Sequence, residues 1–147
     1  MSRQILLSIQ GRQRYEDQEP ETIELVTGGA MDFREGGWDI SYQESALTGM
    51  EGVTTTFRVE PGKVTLIRTG KLHSRMVFQE GAVHESLYQT DFGALMLVVK
   101  PTRVYYDIVP DGGVIDLVYR IEIENTAAGE IDYHLDIRAK QESNSET

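Results

Sequence analysis

Apolar and polar residues alternate along this chain with a period of two, and the phase is clearest near its C-terminus. Ile115, Leu117, Tyr119, Ile121 and Ile123 fall on odd positions, while Asp116, Arg120, Glu122 and Glu124 fall between them; Val118 breaks the rule. After Asn125-Thr126-Ala127-Ala128-Gly129 the pattern resumes as Ile131, Tyr133, Leu135 and Ile137 against Asp132, His134, Asp136 and Arg138. Two alternating runs around a short glycine-containing loop predict a β-hairpin with one face on a core and one in water.

The same grammar runs upstream. Val53, Thr55, Phe57 and Val59 alternate with Thr54, Thr56, Arg58 and Glu60, and Pro61-Gly62 then supplies a turn. The chain returns through residues 64–69, then 76–78, a turn near Glu80-Gly81, and 84–90. Residues 5–15, 23–33 and 38–45 read as strands, with Gly36-Gly37 as a turn and Gly28-Gly29 as a bend at a barrel corner. Residues 95–109 form a long β-branched and aromatic run interrupted by Pro101, where a bulge is expected. About ten strands result, and no stretch carries a useful helical repeat. Successive hairpins favour a meander, and closing it removes exposed edges. The expected fold is all-β: a single closed antiparallel up-and-down barrel of about 8–10 strands over residues 1–140, with a polar tail at 141–147.

Composition narrows the setting. With 147 residues the chain is the size of one domain, and its 39% apolar residues suffice for one core. Nothing approaches the ~20 apolar residues of a membrane span, and the N-terminus lacks a signal-peptide pattern. The absence of cysteine removes disulfides and thiolate metal sites. A cytoplasmic location is the expectation. The formal charge of −10 repels phosphate backbones and anionic lipid, so neither nucleic acid nor membrane is an expected partner. The oligomeric state is not legible.

Motifs for chemistry fail on inspection. Thr69-Gly70-Lys71 is followed by Leu72, not by the Ser or Thr and helix of a phosphate loop. Asp107 to Gly112 opens like a calcium loop, but Val109 and Val118 stand where oxygen ligands are required; Asp111-Gly112-Gly113 reads as a hairpin turn. His73, His84 and His134 form no ligand pair, so no metal and no cofactor are expected. There is no G-x-S-x-G nucleophile motif, and Glu44 with Glu51 reads as a pair of rim carboxylates. An enzyme is the less favoured reading.

One strand carries a charge on its apolar phase. Val64, Leu66 and Arg68 share a face, so if the first two point inward, so does Arg68. A buried guanidinium needs a carboxylate from the protein or from a ligand. Glu44 is in phase with Trp38, Ile40 and Tyr42 and could serve. Arg68, Glu44 and Tyr42 are the leading candidates for a small carboxylate or phosphate clamp; Arg75, Tyr88 and Tyr106 are weaker ones. The alternatives are an outward Arg68, with Ile67 inside, or an inward Arg68 neutralised by Glu44.

The dense stretch Tyr42-Gln43-Glu44-Ser45-Ala46-Leu47-Thr48-Gly49-Met50-Glu51-Gly52-Val53-Thr54-Thr55-Thr56 leads through Pro61-Gly62 to Leu66-Ile67-Arg68-Thr69-Gly70. Ser74-Arg75-Met76-Val77-Phe78-Gln79-Glu80-Gly81 and Leu87-Tyr88-Gln89-Thr90-Asp91-Phe92-Gly93 follow. Together they resemble the YwiB family of uncharacterised bacterial proteins, over about residues 5–138 and most specifically at 47–56. Relatives commonly have Pro where this chain has Asp91. The resemblance implies a calycin-like (lipocalin-like) barrel and no established activity. The leading expectation is therefore a barrel that binds a small anionic or amphipathic ligand. Its rival is a protein–protein interaction module with a filled barrel.

Overall fold

The computed structural model describes residues 2–15, 18–124 and 126–140; the tail expected at 141–147 lies outside them. Ten strands follow one another: β1 (Ser2–Tyr15), β2 (Glu21–Arg34), β3 (Gly37–Gln43), β4 (Val53–Glu60), β5 (Lys63–Gly70), β6 (Ser74–Phe78), β7 (His84–Thr90), β8 (Gly93–Val109), β9 (Gly112–Ile123) and β10 (Thr126–Ala139). A single 3₁₀ turn, Ala46–Thr48, interrupts them. Each strand pairs antiparallel with its sequence neighbours except across the β6–β7 connection, and β1 also pairs with β10. Between β6 and β7 the sheet is joined by one bridge, in which His73 and Gln89 exchange backbone hydrogen bonds of 3.0 and 2.9 Å. The result is a nearly closed up-and-down barrel, as the alternation predicts.

Strand register stacks the inner wall of β3 to β6 into three rows. Trp38, Val59, Val64 and Phe78 face one another across the four strands; Ile40, Phe57, Leu66 and Met76 form the next row. Both are wholly apolar, and Phe57, Phe78, Val64, Leu66 and Ile40 are fully buried. The third row is Tyr42, Thr55, Arg68 and Ser74, and it is polar throughout. Each fully buried aliphatic or aromatic side chain contributes roughly 1.5–3 kcal/mol. Two rows therefore add to the apolar core, and the third places polar side chains inside the barrel.

The end of the barrel below the apolar rows is flanked by the second half of β8. β7 pairs only with residues 93–99 of β8, and the rest of β8 continues alongside β9 beyond a bulge between Pro101 and Arg103. Its Val104, Tyr106 and Ile108 pack on the core. Tyr106 Oη accepts the Gly62 N–H at 2.6 Å, and Glu80 Oε1 accepts the Val104 N–H at 3.2 Å, so side chains satisfy part of what a neighbouring strand would.

Three turns differ from the sequence reading. The β2–β3 turn is Glu35-Gly36, both at positive φ (50° and 76°), with Gly37 already paired to Arg34. Residue 37 needs to be glycine for another reason: an added Cβ would lie 2.7 Å from the Val59 carbonyl oxygen. The β8–β9 turn is Pro110-Asp111, since Val109 pairs with Gly112; Gly113 is required because a Cβ there would sit 2.0 Å from the Asp107 carbonyl oxygen. At the β9–β10 hairpin, pairing resumes at Thr126 opposite Ile123, with a bulge between Ala127 and Gly129; Asn125 of the expected loop lies outside the described residues.

Candidate functional site: a cavity at the polar row

Gly28-Gly29 marks the place where β2 and β3 part. The β1–β2 ladder runs on to Glu21, but β2 pairs with β3 only from Ala30, where Ser41 lies opposite. Glu44 instead donates its N–H to the Val53 carbonyl at 2.8 Å, so the chain leaves β2 and follows β4. An added Cβ on Gly29 would meet the Ser41 carbonyl oxygen at 2.4 Å, which is why the close approach before the parting takes glycine. The chain then makes the 3₁₀ turn, capped by Ser45, whose Oγ accepts the Leu47 N–H at 3.3 Å.

Beside this parting lies a cavity of about 300 Å³, with Ile23 and Leu25 of β2 on one side and Thr48 and Met50 of the following loop on the other. That volume is at the lower end of the range of small-molecule sites, roughly 300–1,000 Å³. Its floor reaches Met76, and Tyr42 and Arg68 of the polar row line it. The far wall is aliphatic (Ile9, Ile121 and Ile131) with Tyr119 and Tyr133. Gly11, on the inward phase of β1, also lines it, and a Cβ placed there meets no atom within 4 Å. Part of the hollow exists because position 11 has no side chain.

Among the described residues, Arg68 is the one charged residue lining this cavity. It is inward, together with Val64 and Leu66, and only 9% exposed. Among the described residues it makes no ion pair and no hydrogen bond, and its Nε is buried without an acceptor. Burial by itself lowers its pKa, but the hydroxyl groups of Tyr133, Tyr119 and Tyr42 and the Glu44 carboxylate outweigh that, so the guanidinium stays charged. Its cross-strand neighbour Ser74 also has a buried Oγ with no partner. A buried polar group left unsatisfied costs about 1–3 kcal/mol.

Glu44 is buried too, yet its oxygens go elsewhere. Oε1 accepts from Thr48 Oγ1 at 2.9 Å and Oε2 from Thr55 Oγ1 at 2.5 Å. The carboxylate therefore ties the 3₁₀ loop to β4 and acts on Arg68 only through its field. Of the alternatives from the sequence, an outward Arg68 does not hold; Glu44 acts on the inward Arg68 electrostatically, without a direct ion pair. Tyr88 lines the cavity. Arg75 does not, because β6 places Ser74, Met76 and Phe78 inside and leaves Arg75 exposed. Tyr106 sits at the opposite end of the barrel, where its Oη accepts the Gly62 N–H. Glu51 is exposed, so it forms no carboxylate pair with the buried Glu44. Sequence reasoning missed Thr48, Thr55, Ser74, Tyr119 and Tyr133. Thr55 carried a signal, a hydroxyl on the apolar phase of β4.

Burial raises the pKa of Tyr42 and of Tyr119 well above the ordinary 10.0. A phenol whose folded pKa is raised contributes stability that is fully present below pH 10 and is lost as pH rises above it. In an alkaline titration, tyrosinate absorbance should rise in two steps, the second coinciding with loss of near-UV circular dichroism. Ionisation of every tyrosine near pH 10 in a still-folded protein would contradict this burial.

Two of the three imidazoles are occupied outside the cavity: His134 Nδ1 contacts Asp116 Oδ1, and His84 Nε2 lies 2.9 Å from Gln79 Oε1. Among the described residues, no three His, Asp or Glu side chains converge as metal ligands.

Among solved structures, the fold is similar to the YwiB protein from Bacillus subtilis, with a TM-score of 0.78 and 21% identity over 95% of this chain and 94% of that one. No curated protein matches. The family model for a domain of unknown function (DUF1934) matches residues 7–137. Nearly the whole barrel, polar row included, lies within that match, and the chain belongs to the DUF1934 family.

Proposed function

We propose that the protein binds a small amphipathic anion in the half of its barrel above the apolar rows, acting in the cytoplasm as a binding protein and not as an enzyme. The observation that carries this reading is Arg68: a charged side chain, buried, lining a cavity and lacking an acceptor. A ligand anion would supply the acceptor, as charge-assisted hydrogen bonds to guanidinium are among the stronger kind. Aliphatic walls would take an apolar body. The rival interaction module expects a filled barrel, whereas here a cavity opens beside the row of Ile40, Phe57, Leu66 and Met76, which supports the ligand reading over it.

Gly11→Leu provides the test, because it fills the cavity at a position of ordinary backbone conformation. In a thermal-shift experiment with sodium decanoate, the wild type should be stabilised by about 2.7 kcal/mol at 100 times the dissociation constant, a shift of several degrees at this size. Gly11→Leu should melt no lower than the wild type without ligand and show no shift. An equal shift in both proteins, or none in the wild type, would refute the reading.

A further inference from the structure

Resting on that reading of the cavity, we infer that its ligand is a monocarboxylate with an unbranched aliphatic chain. The head group follows from charge. Among the described residues, Arg68 is the one charged residue on the cavity wall, so the site offers a single positive charge. The Glu44 carboxylate is close enough to act on Arg68 electrostatically, and the hydroxyls of Thr48 and Thr55 hold it in place. A second anion charge would enter with no cation to meet it and with Glu44 opposing it. A phosphate monoester carries about −1.5 to −2 at neutral pH, and burying its excess charge unpaired is costly. A carboxylate carries one charge and presents two oxygens to a planar guanidinium. A cationic head would be repelled by Arg68, and a neutral one could accept its N–H groups but would leave its charge uncompensated.

The tail follows from the walls. Away from Arg68 the cavity is bounded by Ile9, Leu25, Leu97, Ile121 and Ile131. Tyr42, Tyr119 and Tyr133 are near enough to act on Arg68 and so border the head group; Tyr15 and Tyr88 also line the cavity, and the rest of the wall that meets the tail is aliphatic. The parting of β2 from β3 puts Ile23 and Met50 at the edge of the hollow, so an extended chain lies along the wall toward the gap between β2 and the 3₁₀ loop. Each methylene buried there tightens binding about fourfold.

The test compares ligands of one chain length by isothermal titration: sodium decanoate, decyl phosphate and decanol, each below its aggregation threshold, with Gly11→Leu alongside. Decanoate should bind at least tenfold more tightly than the other two, and homologues from hexanoate upward should tighten about fourfold per carbon until the cavity is full. Decyl phosphate binding as tightly as decanoate would overturn the carboxylate assignment and leave the cavity reading standing. Decanol doing so would show that Arg68 recognises no anion. If none binds, or Gly11→Leu binds decanoate as the wild type does, the reading of the cavity as a ligand site falls with it.

Discussion

Replacing Phe57 by alanine should cost about 3–5 kcal/mol of stability, a large share of the 5–15 kcal/mol by which domains are typically stable. Phe57 is fully buried at the centre of the second apolar row, between Ile40 and Leu66, with its ring centroid 5.9 Å from that of Tyr133. Its strand is paired on both sides, which limits how far the walls can collapse onto the space left behind. The cost should therefore fall toward the upper end for such a substitution. The row above is already bordered by the cavity, so the new hole would extend it downward. Urea unfolding measures the effect directly. A loss below about 1.5 kcal/mol would mean that the lower half of the barrel is not packed as described.

Arg68→Met should have the opposite sign for stability and a large effect on binding. Methionine keeps length and apolar bulk while removing a buried charge whose Nε has no acceptor. The opposing term is the lost attraction to Glu44, but that carboxylate keeps its hydrogen bonds from Thr48 and Thr55. Relief of the unsatisfied guanidinium outweighs it, and the ligand-free protein should gain about 1–2 kcal/mol. Binding of an anion should weaken by about 2 kcal/mol or more, since the head group then enters without a charged donor. A residue that costs the fold stability and, on the proposed reading, anchors a ligand would be the usual form of the trade between stability and activity.

Much of this was legible in the sequence, because side-chain period and strand register are linked. The alternation around Phe57 and along residues 115–137 placed strands and their inward faces, and the phase shared by Val64, Leu66 and Arg68 tied the guanidinium to the face of the other two without deciding which face that was. What the sequence could not supply was the pairing across strands. Only the register brings Tyr42, Thr55, Arg68 and Ser74 into one row. Ser74 was hidden because it opens a five-residue strand after an irregular connection, and the same short strand left the phase of Arg75 undecided. Tyr119 and Tyr133 were visible on the inward phase, but a tyrosine there is compatible with core and with site alike. Adjacent glycines misled in a different way. Gly37 and Gly113 looked like turn residues, yet they are needed where backbones crowd, one position or more past the turns themselves.

The central claim is that Arg68 is a buried cation kept without a protein partner so that a ligand anion can provide one. The most direct measurement is the melting temperature of Arg68→Met beside the wild type, with and without saturating sodium decanoate. The variant should melt several degrees higher without ligand and should lose the ligand-induced shift that the wild type shows. A variant that melts lower without ligand, or that keeps the full shift, would mean that Arg68 serves the fold and not a ligand.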